Sequence, residues 1–71
     1  MKFERGVGFV YKVYSSSGDL IGFCGRVSDL RMYGFAYNKP GNLWVFDRMG
    51  YRPVFFPSLE LCHHYIVDLE C

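Results

Sequence analysis

The sequence predicts an α+β domain, a five-stranded antiparallel meander with one C-terminal helix packed on one face. Three observations predict it. Short runs rich in β-branched and aromatic residues recur along residues 7–56. Polar segments containing Gly or Pro separate those runs. Residues 57–71 then change to apolar spacing with a helical period.

Val7 to Tyr14 reads as the first strand, with Val7, Phe9, Tyr11 and Val13 on one face and Val10, Lys12 and Tyr14 on the other. Ser15-Ser16-Ser17-Gly18-Asp19 is a loop of hairpin length. Leu20 to Arg26 returns, and Gly22 and Gly25 inside it imply a bulge, a strong bend or the close approach of another backbone. Residues 28–37 admit two readings. As a strand, Arg31, Tyr33, Phe35 and Tyr37 alternate with Met32, Gly34 and Ala36. As a helix, Ser28 and Asp29 would cap a segment through Leu30, Tyr33 and Tyr37, giving a ββαββα order instead. The aromatic content, the mid-segment Gly and the Pro40-Gly41 turn that follows favour the strand.

Leu43 to Phe46 is a short strand containing Trp44, and Asp47-Arg48-Met49-Gly50 is a four-residue turn. Tyr51 to Phe56 closes the meander, and Pro53 assigns it to an edge because proline has no amide hydrogen to give. Pro57-Ser58 begins a helix of about three turns. Leu59, Cys62, Ile66 and Leu69 form its apolar seam, flanked by Leu61, Tyr65 and Val67.

Seventy-one residues make a single domain over 1–71, near the lower limit for independent folding. A chain this size buries about 60% of its unfolded surface, and its fourteen aromatic rings compensate for that shortage. One helix cannot cover both sheet faces, so some of these rings are expected at the surface, where apolar patches mark interaction sites. No run approaches the length of a membrane span, and the N-terminus lacks a secretory h-region. The three cysteines, Cys24, Cys62 and Cys71, follow no disulfide framework, which points to a reducing cytoplasm. The net charge of +1 is unevenly split, +4 over residues 1–56 and −3 over 57–71. Asp68 and Glu70 lie at the unfavourable end of the helix dipole, so either the last turn frays or a basic group, from Arg26, Arg31 or Arg52, lies close.

No catalytic motif is present, and a non-enzymatic chain is expected. The Cys62-His63-His64 run cannot converge on one ion, because helical neighbours point about 100° apart. Cys62 belongs to the apolar seam, where a free cysteine is a small buried hydrophobe. No metal or other cofactor is implied, and no small-molecule substrate.

The candidate binding residues are Arg31, Tyr33, Phe35, Tyr37 and Lys39, an aromatic row bordered by positive charge, together with Trp44, Tyr51 and Arg52. Three roles compete for the row: core against the helix, a protein-binding face, and a stacking platform for single-stranded nucleic acid. Nucleic acid ranks last, because such domains carry a stronger basic bias. The favoured function is an interaction module that binds another protein, or itself as a homodimer, through the uncovered sheet face. Size and style suit an accessory or inhibitor protein of the kind found in phages and mobile elements. Residues 54–56 offer an edge for a partner strand.

Overall fold

A computed structural model describes residues 1–6 and 8–69. One antiparallel sheet runs in sequence order: β1 (Lys2–Arg5), β2 (Val10–Tyr14), β3 (Leu20–Arg26), β4 (Trp44–Arg48) and β5 (Val54–Phe56). A short helix, α1 (Val27–Arg31), interrupts the meander between β3 and β4, and α2 (Leu59–Asp68) packs against the sheet after β5. The α+β class, the five antiparallel strands and the C-terminal helix are as the sequence predicts. The membership of the strands differs in two places.

Residues 28–37 are not a strand. The chain leaves β3 directly into α1, and the turn that follows the helix runs through Met32 and Tyr33 to a left-handed glycine, Gly34, at φ 94°. Phe35 N–H donates to the Leu30 carbonyl at 3.3 Å and Gly34 N–H to the Arg31 carbonyl at 3.0 Å. This is the paired bonding of a Schellman stop, and it comes with its usual apolar contact, since Phe35 packs into the cluster that holds Leu30. The mid-segment glycine is therefore a helix terminator, and the helical alternative is the nearer reading, though α1 stops well short of Tyr37. The fifth strand is instead β1, which pairs with β2 through Phe3 and Val13. The strand expected from Val7 starts at Val10, after a turn in which Gly8 takes φ 67°. Val7 itself lies outside the described residues, as do Glu70 and Cys71.

Two turns shift by one residue. The bond closing the Pro40-Gly41 turn runs from Leu43 N–H to the Pro40 carbonyl, so Gly41 and Asn42 are central. Asp47 and Arg48 remain in β4, and the turn closes from Tyr51 N–H to the Arg48 carbonyl with Gly50 at φ 84°. Gly22 and Gly25 serve close backbone approach, because a side chain there would meet the carbonyls of Asp47 and Phe9. A register irregularity lies beside Gly22, between its partner Val13 and Tyr14.

Alternation along the strands places apolar residues on both faces, and both faces are covered. Beneath α2, Val13, Cys24, Trp44 and Phe46 bury against Cys62 and Ile66. On the opposite face, Val10 and Val45 bury against Val27 and Leu30, with Phe23, Phe35, Tyr37, Leu43 and Phe55 packed around them. The segment from 27 to 43 is thus a second cover. That corrects the expectation of an open sheet face, and its origin is the Gly34 stop, which turns the chain back across the sheet.

Candidate functional site

The expected aromatic row does not form one exposed face: Arg31, Tyr33 and Lys39 are exposed, while Phe35 and Tyr37 are half-buried and with Arg31 line an open groove of about 540 Å³. Phe35 stacks on Tyr37 with centroids 6.0 Å apart and planes 8° from parallel, and Tyr37 meets Phe55 edge-on at 5.7 Å. The Tyr37 hydroxyl donates to Asp47 Oδ2 at 2.5 Å. Burial, followed by this bond to a carboxylate, pushes the phenol well above its ordinary pKa. Arg31 ties the loop down, donating to the Tyr37 carbonyl at 3.0 Å and to the Lys39 carbonyl. Lys39 Nζ lies 5.6 Å from the Phe55 ring. Arg31, Phe35, Tyr37 and Lys39 therefore come together as the clasp of the second cover. Tyr33 stays outside, 54% exposed, at the rim of a small apolar slot.

Trp44 is also structural, being 8% exposed. Its ring and that of Phe9 hold the Arg26 guanidinium at 5.1 and 5.0 Å, contacts worth about 0.5–2 kcal/mol each. Sequence spacing could not separate Trp44 from the exposed rings, because burial of a strand residue depends on what crosses its face.

Tyr51 and Arg52 are also exposed. They lie at the β4–β5 hairpin and line a cleft of about 190 Å³ with Phe46, Arg48, Val54 and Tyr65. The sequence reading missed Arg48 and Tyr65. Their signal was present: Arg48 precedes the turn glycine, and Tyr65 flanks the buried Cys62–Ile66 seam. Tyr65 forms the α2 wall, 5.3 Å from the Phe56 ring and 6.3 Å from that of Phe46. Arg48 lies over the Tyr51 ring at 4.2 Å, which holds its guanidinium at the mouth. Among the described residues no carboxylate lines the cleft. On the elements that form the cleft, Met49 and Tyr51 of the hairpin are 57% and 63% exposed, and Leu61 lies exposed one turn before Tyr65 on α2.

The chain matches no family model, no curated protein and no solved structure. The geometry of the molecule therefore carries the functional reading alone.

The remaining chemistry-bearing residues diverge. Cys62 faces the sheet and is fully buried with Cys24. A thiol–thiol hydrogen bond between them, followed by burial, pushes the Cys24 thiol far up, away from the reactive thiolate. His63 lies between Phe3 and Tyr11 at 4.4 and 5.5 Å, while His64 is exposed. Among the described residues no three His, Cys, Asp or Glu side chains gather as metal ligands, and no helix is long and apolar enough to cross a membrane. At the end of α2 the helix is formed through Asp68, with Leu69 N–H bonding back to the Ile66 carbonyl. Of the three arginines considered for that end, Arg31 is engaged on the other face, Arg26 sits between two rings, and Arg52 shares the cleft with Tyr65.

Proposed function

We propose that this chain is a small non-enzymatic protein-interaction module, of accessory or inhibitor type, which engages its partner through the cleft between α2 and the β4–β5 hairpin. One observation carries the reading: Tyr51 and Tyr65 are exposed in a single cleft that also holds two arginines, and the elements that form it, the β4–β5 hairpin and α2, carry the exposed Met49 and Leu61 as well. Tyr, Met and Arg are the residue types that interface centres favour. The sheet edges support the same conclusion by offering little else. β5 is the edge strand the sequence implied, but it has three residues between Pro53 and Pro57. β1 exposes Lys2, Glu4 and Arg5. Short, proline-flanked and charged edges resist strand addition, so binding through side chains fits this molecule better than extension of the sheet. Free, buried thiols at Cys24 and Cys62 accord with a reducing cytoplasm.

A random peptide display library screened against the immobilised chain tests the proposal. Binders should be retained by the native chain and lost by a Tyr51→Ala/Tyr65→Ala variant that circular dichroism shows to be folded. Binders indifferent to that variant, or none at all, would contradict it. A labelled single-stranded oligonucleotide is the control for the other class of partner. Salt-sensitive binding that Tyr33→Ala abolishes would favour nucleic acid instead.

A further inference from the structure

Building on that reading, we infer that the cleft takes an acidic segment of the partner protein, with a carboxylate held by Arg48 and Arg52 and a neighbouring apolar or aromatic side chain seated against Tyr65. Charge complementarity is the first argument. Two guanidinium groups line the cleft, among the described residues no carboxylate lines it, and Asp68, three residues beyond Tyr65, is exposed but is not part of the lining. Arginine recognises carboxylates through charge-assisted, often two-pronged hydrogen bonds, about twice as strong as neutral ones. Arg48 is already held on the Tyr51 ring, so less side-chain freedom is lost when it binds.

Size is the second argument. At about 190 Å³ the cleft is below the roughly 300 Å³ at which small-molecule sites begin. It has room for a single anchoring side chain, and its apolar walls, Phe46, Val54 and the ring of Tyr65, suit a hydrophobic one. Phosphate would satisfy the arginines as well. The exposed Leu61 and Met49 on the two elements that form the cleft, and the absence of any further lysine or arginine from the lining, favour a protein segment over a nucleic-acid backbone.

Peptides recovered from the display library decide the matter. The expected result is enrichment of Asp or Glu beside an aromatic or leucine residue. In calorimetry the tightest peptide should weaken by about tenfold or more when its acids are replaced by the corresponding amides, and equally with an Arg48→Gln/Arg52→Gln variant. Binders without acidic enrichment, or binding unchanged by either replacement, overturn the inference. If such binders still require Tyr51 and Tyr65, the interaction reading stands and only the acidic partner is lost. If no binder requires this surface, both fail. Oligonucleotide binding that depends on Arg48 and Arg52, with no acidic peptide recovered, also overturns it.

Discussion

His63 shows how much a single side chain on α2 depends on its surroundings. Its ring packs on Phe3 and Tyr11, and its Nε2 is buried without a hydrogen-bond partner. Burial, with a smaller contribution from His64, lowers its pKa below the ordinary histidine value. The folded state therefore prefers the neutral ring, while the unfolded chain takes up a proton first as pH falls. Stability from this site is complete above the unfolded pKa of about 6.5 and declines as pH drops below it toward the folded value. Thermal unfolding between pH 8 and pH 5 should show the midpoint falling on the acid side, with a shallower fall in His63→Leu. Equal slopes in the two proteins would contradict this account.

At the scale of elements, the decisive one is α1 with its stop. Gly34 takes a left-handed conformation with no neighbour around it, so an added methyl group finds space but not an allowed backbone. Gly34→Ala should cost about 1–2 kcal/mol in urea unfolding, and a neutral result would mean that the stop does not set the path of residues 35–43. The same residue explains what the sequence could and could not reveal. β2, β3 and α2 were legible because their periodicity runs uninterrupted, and Ser58 caps α2 through a 3.2 Å bond from Leu61 N–H, beside the Pro57 that signalled its start. Residues 31–37 alternate like a strand, yet Leu30, Gly34 and Phe35 satisfy a helix stop, and that local bonding wins. β1 was hidden because Phe3 is its only apolar residue, too weak a pattern to register. Half of the site was visible, in Tyr51 and Arg52. Arg48 and Tyr65 join them only through the packing of α2 against the hairpin.

For the molecule as a whole, 71 residues are made to suffice by using the sheet twice. α2 closes one face and the segment 27–43 the other, so most rings that looked available in sequence lie in one of two cores or pack, half-buried, against it. What remains exposed is correspondingly informative. Met32, 85% exposed, and Tyr33 project beside the Gly34 stop, while Tyr51 and Tyr65 are exposed in the arginine-lined cleft. The most direct test of the claim that this cleft is the working surface is backbone amide shift mapping of the labelled chain, titrated with the tightest display-selected peptide. The account predicts shifts concentrated in residues 46–54 and 61–69. Shifts concentrated in residues 31–39, where the sequence placed its aromatic row, would contradict it.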